Sequence, residues 1–301
     1  MTFLDLFAGI GGFRFGMEQA GHQCIGFCEI DRFARKSYKA IHDTRGEVEL
    51  HDITAVTDDA LQRMRRPDVL TGGFPCQTFS LSGKRRGFGD TRGTLFFEIA
   101  RFASILRPRI LFLENVRGIL NHDQGNTFEA ILRVLDGLGY DVEWQVLNSK
   151  DYLPQNRERV FLIGHFRETS FKQVFPFQRE GQEVSSIEQA RPRHSRRSER
   201  GLIVAGKFEG KFAQSNRVFS VEGYAPTLMT GESGPMIYVK GSKTEHSQIR
   251  RLTALECWRL QGFPDWAYEK AAQVNSEYQL YRQAGNSVTV PVIYDIARRL
   301  N

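Results

Sequence analysis

Three kinds of side chain in this sequence could cooperate in covalent chemistry: a thiol, a carboxyl and a pair of guanidinium groups. Cys76 stands in Gly72-Gly73-Phe74-Pro75-Cys76-Gln77, directly after an apolar run at residues 67–71 that reads as a buried strand. Two glycines and a proline make a rigid turn there, holding the thiol at a strand end as either a nucleophile or a small buried hydrophobe. Ile110-Leu111-Phe112-Leu113 reads as another buried strand, stopping at Glu114-Asn115-Val116. A carboxyl emerging from so apolar a run is partly desolvated, with a raised pKa, so Glu114 could give or share a proton at neutral pH. In open α/β sheets the site lies past the carboxyl ends of the strands, which puts Glu114 beside Cys76. Arg157 and Arg159 follow in Leu153-Pro154-Gln155-Asn156-Arg157-Glu158-Arg159. Alternate strand residues share a face, so the two arginines project together, either into that site or as surface charges paired with acids.

The elements that must carry these residues begin at the N-terminus. An apolar run at residues 2–7 meets Ala8-Gly9-Ile10-Gly11-Gly12, and residues 13–20 read as a helix. Strand, glycine turn and helix in that order bring backbone N–H groups close to a ligand, or make only a tight turn. Arg14 replaces the third glycine of the dinucleotide pattern, so that pattern is not met. The next strand, residues 24–28, ends in Glu29-Ile30-Asp31. An acid about 20 residues past the first glycine is placed to bind ribose hydroxyls, with a solvated charge as the alternative. A helix at 32–42 and a short strand lead to His51-Asp52-Ile53, an acceptor and an apolar face suited to an adenine edge and ring.

After Cys76 the loop of residues 78–93 holds four glycines and four basic residues, among them Lys84, Arg85 and Arg86, and reads as a lid over phosphates or a plain surface loop. A helix at 94–106, a helix at 125–138 and strands at 141–148 and 159–166 complete this half. Between residues 190 and 217, eight Lys or Arg face only Glu199 and Glu209, with Phe208 and Phe212 interleaved. That density fits a DNA-facing module or a solvated basic loop. Residues 224–231 read as a further recognition loop. Thr253 and Glu256 make a capping box, and Gly285-Asn286-Ser287-Val288 is a polar turn that could return to close a ligand pocket.

Composition narrows the class. A chain of 301 residues with net charge +6 favours a polyanionic partner only weakly. Four cysteines without zinc spacing indicate neither a disulfide framework nor a metal site, and a reducing cytosol is expected. A start without a basic leader, and no apolar stretch approaching about 18 residues, indicate neither export nor membrane insertion.

With these residues in view, the chain resembles the DNA (cytosine-5) methyltransferases of bacterial and phage restriction–modification systems. The resemblance runs in family order through Phe7 to Gly12, Glu29, Asp52-Ile53, Pro75-Cys76-Gln77, Glu114-Asn115-Val116, Gln155 to Arg159, Arg251 to Pro264, and Gly285 to Val288. Between Arg159 and Arg251, where the family places its target-recognition domain, only Arg217 and Thr227-Leu228 align. The resemblance implies an α/β fold: a mostly parallel, Rossmann-like methyltransferase sheet with helices on both faces, plus a smaller irregular domain. Residues 1–172, completed by 274–301, would be the catalytic and cofactor-binding domain, and 173–273 the target-recognition domain, with duplex DNA in the cleft.

By the same resemblance Phe7, Gly9, Ile10, Gly11, Gly12, Glu29, Ile30, Asp52, Ile53, Pro75, Leu95, Asn286 and Ser287 surround S-adenosyl-L-methionine. Ser82, Lys84, Arg85, Arg86, Gln155, Arg217 and Thr227 meet DNA, Ser82 or its neighbours filling the gap left by an extruded base. Cys76 would attack carbon 6 of cytosine as a thiolate, helped by the charge of Arg157 or Arg159. Glu114 would bond the ring nitrogen and amino group, and Arg159 the base carbonyl oxygen. The resemblance further implies a cytoplasmic monomer, with any cognate restriction endonuclease acting separately. Rival readings are a tRNA-modifying relative, a DNA-binding relative without activity, and a nicotinamide oxidoreductase, the last opposed by the glycine pattern.

Overall fold

The computed structural model describes residues 1–75, 95–170, 172–177, 201–207, 217–230, 234–240 and 247–300. Strand and helix alternate from the start: β1 Thr2–Leu6, α1 Gly12–Gln19, β2 Gln23–Cys28, α2 Arg32–Ile41, β3 Val48–Leu50, α3 Asp58–Arg63, β4 Val69–Gly73, α4 Leu95–Leu106, β5 Ile110–Val116 and α5 Asn126–Gly137. The alternation then lapses into the hairpin of β6 Tyr140–Asn148 and β7 Glu158–Phe166, and four short strands follow: β8 Val204–Lys207, β9 Arg217–Ser220, β10 Met236–Val239 and β11 Gln248–Arg251. Helices α6 Ala254–Leu260, α7 Asp265–Ala272, α8 Glu277–Asn286 and α9 Val290–Ala297 end the chain. Local chemistry accounts for several of the starts. Asp31 caps α2 by accepting from the Phe33 and Ala34 N–H groups, and Thr253 and Glu256 form the expected capping box on α6.

The large sheet has the order β3-β2-β1-β4-β5-β7-β6. Strands β1 to β5 are parallel, whereas β7 inserts antiparallel between β5 and β6. From β1 the chain moves outward to β3 and then returns to the other side at β4. The order therefore reverses between β1 and β4, the kind of switch point at whose carboxyl strand ends open α/β sheets bind ligands.

Strand alternation divides the core between two faces. Leu4, Leu6, Leu111 and Leu113 pack with Phe96, Ile99 and Phe102 of α4 and Ile131 of α5. Phe3, Ile110 and Phe112 pack with Phe13 and Met17 of α1 and Val292, Ile293 and Ile296 of α9, so the end of the chain covers the sheet that its beginning starts. The closeness of α1 and α9 depends on Gly16, where a Cβ would stand 2.6 Å from Ile293. The second sheet, of order β11-β10-β9-β8, is small. Helices α6 and α7, allotted by the sequence to the smaller domain, join a third core in which Trp258, Phe263 and Ala267 meet Ile10, Phe15 and Ile41.

Two strand ends correct the sequence reading. Strand β4 lies two residues later than the apolar run implies, so Gly72 and Gly73 are its last residues and not a turn. Strand β5 does not stop before Glu114. It continues through Val116, because β7 supplies ladder partners for Glu114, Asn115 and Val116.

Candidate active site

Glu114 stands across from Phe161 in the β5–β7 ladder, and Arg159 lies two residues further along, opposite Val116. Diagonal neighbours on one face of an antiparallel pair are within reach of long side chains. The Arg159 Nε accordingly sits 2.8 Å from Glu114 Oε1, with both side chains largely buried. Burial holds the Glu114 carboxyl above its ordinary range, and the charges of Arg159 and Arg157 offset part of that rise. On the β4 side, a Cβ on Gly73 would be 3.0 Å from Glu114 Oε2. Glycine there leaves room for the carboxyl three residues before Cys76.

Asn115 points to the other face and is 1% exposed. Its Nδ2 donates to the Phe74 carbonyl oxygen at 2.9 Å, while its Oδ1 accepts from the Val116 N–H at 2.8 Å. The backbone two residues before Cys76 is thus tied to the strand that carries Glu114. In the sequence Asn115 is marked only by its place beside Glu114, and nothing local shows this role. Cys76 itself, with Ser82, Lys84, Arg85 and Arg86, lies outside the described residues.

Arg157 corrects the expectation that the two arginines project together. It precedes β7, is 4% exposed, and sends Nη2 to the carbonyl oxygens of Gly285 at 3.2 Å and Ser287 at 2.7 Å. Its Nε and Nη1 find no acceptor among the described residues. Burial, and then the nearby charge of Arg159, lower its pKa to about 9, with Glu114 pulling the other way, so it stays protonated at neutral pH.

The turn after β1 holds Phe7, Gly9 and Gly11 at φ of 53°, 56° and 87°. A phenylalanine in the left-handed region is strained, and such strain is commonly found at ligand clamps. Glu29 binds the turn to the tip of β2: its Oε2 accepts from the Gly9 N–H and its Oε1 from the Asp31 N–H, each at 2.7 Å. Burial raises the Glu29 pKa, and these two backbone donors oppose the rise. Beyond Gly9 a Cβ would meet open space. Ile30 follows at 67% exposure, an apolar side chain presented to solvent at the strand tip. Asp52, by contrast, accepts from the N–H and hydroxyl of Thr54 and so caps the turn containing Ile53. Pro75 and Asn286 are exposed, and Leu95 is half-buried at the start of α4.

Several residues assigned to a ligand also make contacts within the protein. The Ile10 side chain belongs to the third core, and Ile53 to the first. Gly11 faces His42, whose Nε2 would be 2.2 Å from a Cβ there, and Gly12 faces the Ser287 Oγ at 2.7 Å. Ile10, Gly11, Gly12 and Ile53 therefore shape the cradle from behind, while Phe7, Gly9, Glu29 and Ile30 form its accessible rim. Open space at Gly9, an apolar residue at the rim and a carboxylate at the strand tip fit a nucleoside-bearing ligand.

Two residues assigned to DNA make contacts within the protein. Gln155 is fully buried: its Nε2 donates to the Leu260 carbonyl oxygen at 2.9 Å, and its backbone bridges to Ala225. The Thr227 hydroxyl donates to the Asn156 carbonyl oxygen at 2.7 Å. Both fasten the segment around Ala225 to the residues that lead into β7. Arg217 lies half-buried on β9, and its Nε is without a partner among the described residues. Of the basic run, Arg191 to Arg200 lie outside the described residues.

A buried acid escaped the sequence reading. Asp5, on β1, is wholly enclosed and accepts from the Thr71 hydroxyl at 2.9 Å. Desolvation drives its pKa up to about 8, against the Thr71 hydrogen bond and the charge of Arg14. An acid in the apolar run before Phe7 was its only trace in the sequence. Cys24, Cys28 and Cys257 are free and buried, with thiols pushed up to about 12 by burial, so they are inert at neutral pH. Among the described residues no group of His, Cys, Asp and Glu could hold a metal ion, and no helix is long and apolar enough to cross a membrane.

The model of the family described as C-5 cytosine-specific DNA methylase matches residues 1–301. Type II methyltransferase M.NlaX of Neisseria lactamica is 40% identical over 313 residues, covering 99% of this chain and 95% of its own. Type II methyltransferase M.HhaI of Haemophilus parahaemolyticus is 34% identical over 325 residues, covering 100% and 95%. Among solved structures, the S. pombe Dnmt2 methyltransferase superposes with a TM-score of 0.68 at 21% identity over 99% of this chain and 97% of its own, a likeness of fold.

Proposed function

The chain belongs to the C-5 cytosine-specific DNA methylase family, and from that premise we propose that it methylates carbon 5 of a cytosine extruded from a specific short duplex site, through a transient covalent bond to Cys76. The observation that carries this reading is the buried Glu114–Arg159 pair, pressed against Gly73 at the end of the strand leading to Cys76. Carbon 5 of cytosine is too weak a nucleophile to take a methyl group unaided. Addition of the Cys76 thiolate to carbon 6 moves the ring electrons toward carbon 5. Glu114, with its proton affinity raised by burial, bonds the ring nitrogen and amino group and takes up the charge that this addition creates. Arg159 both orients that carboxyl and meets the base carbonyl oxygen. Once carbon 5 has gained the methyl group, loss of its proton to a base restores the carbon 5–carbon 6 double bond, the carbon–sulfur bond breaks, and the thiolate leaves.

S-adenosyl-L-methionine, when bound, supplies the electrophilic methyl group. Glu29 would take its ribose hydroxyls, Ile30 and Asp52 its adenine, and Phe7, Gly9, Pro75, Leu95, Asn286 and Ser287 the rest of its surface. Extrusion of the base is needed because the ring is attacked on its face, at a cost of a few kcal/mol in unstacking. Lys84, Arg85 and Arg86 meet phosphates and offset part of that cost, Ser82 fills the gap, and Arg217 contacts DNA from the smaller domain. We place residues 1–172 and 274–301 in the catalytic domain and residues 173–273, which include the small sheet, in the target-recognition domain. The enzyme works as a cytoplasmic monomer, and any partner restriction endonuclease acts on the same site separately.

Incubation with unmethylated genomic DNA and S-adenosyl-L-methionine, followed by sequencing for 5-methylcytosine, tests this reading. A single short motif should become modified, while tRNA given in parallel stays unmodified. Cys76→Ser should abolish transfer yet still bind the cofactor, and a target containing 5-fluorocytosine should trap the wild-type protein. Ordinary turnover by the serine variant would refute the role of the thiol.

A further inference from the structure

Ile30 keeps its place at the rim with little help from its own side chain. That side chain is 67% exposed, and residues 29–31 lie between β2 and α2 without belonging to either, so polar contacts must fix the backbone there. On the N–H side, Glu29 donates to the Leu50 carbonyl oxygen at 3.1 Å and Asp31 donates to Glu29 Oε1 at 2.7 Å. The carbonyl side is held by a single nitrogen. Arg35 Nη1 donates to the Glu29 carbonyl oxygen at 2.7 Å and to the Ile30 carbonyl oxygen at 2.8 Å. Two carbonyl oxygens brought to one point repel each other, and bonds from a cation offset that repulsion. Because each peptide unit is planar, fixing the oxygens on both sides of the Ile30 Cα sets the backbone angles of Ile30, and with them the direction of its side chain. Helix formation does not account for Arg35: α2 has no acid in its first turn, and a cation near that end gains nothing from the helix dipole.

Accepting the function proposed above, in which Glu29 takes the cofactor's ribose and Ile30 its adenine, we propose that Arg35 is a positioning residue for that nucleoside: by clamping the carbonyl oxygens of Glu29 and Ile30 it holds the Ile30 side chain in place before the cofactor arrives. An apolar contact held ready loses little conformational freedom on binding, and the difference shows as affinity. Without the clamp, water solvates both oxygens, the segment samples other directions for Ile30, and binding must order it first. The clamp acts on the cofactor in ground state and transition state alike, so it lowers KM and leaves kcat alone.

The test uses the full chain, S-adenosylhomocysteine as the binding probe in calorimetry, and steady-state methylation of a duplex carrying the site found by sequencing. Arg35→Met keeps most of the side chain's length and removes its donors. It should weaken S-adenosylhomocysteine about tenfold and raise KM for S-adenosyl-L-methionine by a similar factor, with kcat at saturating cofactor within about twofold of wild type. Arg35→Lys should restore most of the affinity, because one nitrogen makes both bonds and a fork is not needed. The deciding measurement is a double-mutant cycle with Ile30→Ala. If Arg35 acts through Ile30, the double variant binds about as weakly as the weaker of the two single ones, whereas independent effects multiply. Melting curves confirm that each variant is folded, and should Arg35→Met not fold, Arg35→Ala, which favours the helix, runs the same cycle. Multiplied effects overturn the proposal, as does unaltered binding, or a loss of kcat with KM unchanged. Wild-type protein that binds no S-adenosylhomocysteine overturns the underlying cofactor reading instead, and is distinguishable because no variant is needed to see it.

Discussion

Glu114 lies over Gly73, its Oε2 3.0 Å from the point where a Cβ would stand on the neighbouring strand. The two residues are ladder partners, Gly73 in β4 and Glu114 in β5, so a side chain at one position takes space from the other. The absence of a side chain at position 73 is thus part of how the carboxyl is aimed.

Gly73→Ala should therefore damage chemistry more than folding. The added methyl group must push the carboxyl by a few tenths of an ångström, and displacement of a reacting group by about 1 Å can cost about 100-fold in rate. We expect kcat to fall about 10- to 100-fold with the melting temperature moved by no more than a few degrees. Rates and melts on the same preparation decide this, and an unchanged kcat would show that the carboxyl has room to spare.

Glu114→Gln keeps the shape and removes the acid. The loss of proton donation should lower kcat by roughly 100- to 10,000-fold, with DNA affinity little changed. Single-turnover methyl transfer is the measurement, and a loss below about threefold would count against the assigned acid.

Asn115→Ala removes the donor that holds the Phe74 carbonyl oxygen and leaves that buried acceptor unsatisfied. The expected destabilisation is about 1–3 kcal/mol, read from urea melts. Because the freed backbone leads to Cys76, trapping by 5-fluorocytosine DNA should slow at temperatures where the variant remains folded.

Asp5 introduces a pH dependence whose sign can be worked out. Desolvation lifts its folded pKa from 3.8 to about 8, against Thr71 and Arg14, with Glu29 and Glu18 adding to the rise. Below the unfolded value both states hold the proton and the site costs nothing. Between that value and about 8 the unfolded chain ionises while the folded one does not, so stability falls as pH rises and levels off above the folded value. Asp5→Asn, a neutral mimic, should match the wild type near pH 4 and exceed it near pH 8 by on the order of a few kcal/mol. Denaturant melts across that range check it, and an asparagine variant no more stable at the alkaline end would overturn the assignment.

Much of this protein could be read from the order of its residues. Short apolar runs, glycine turns and amphipathic stretches are local patterns, and they located β1, α1, β2, α2, β3, β5, α4 and α5 within a few residues, together with the capping box of Thr253 and Glu256. The acid at the tip of β2 and the acid near the end of β5 were legible for the same reason, since alternation and burial of a run can be judged without knowing its neighbours.

What depends on neighbours could not be read. Arg157 and Arg159 have the same spacing and charge, yet one grips the turn at Gly285 and Ser287 while the other grips Glu114. The difference arises because β7 enters the sheet antiparallel between β5 and β6, a choice of partner that no short stretch encodes. Gln155 shares the polar character of a surface residue, yet the return of α6 encloses it. Residue types and their spacing determined which groups this protein has for chemistry. Only the tertiary structure decided which of them meet, because strand order and helix return are set by the burial of whole faces against one another, a property of the assembled chain.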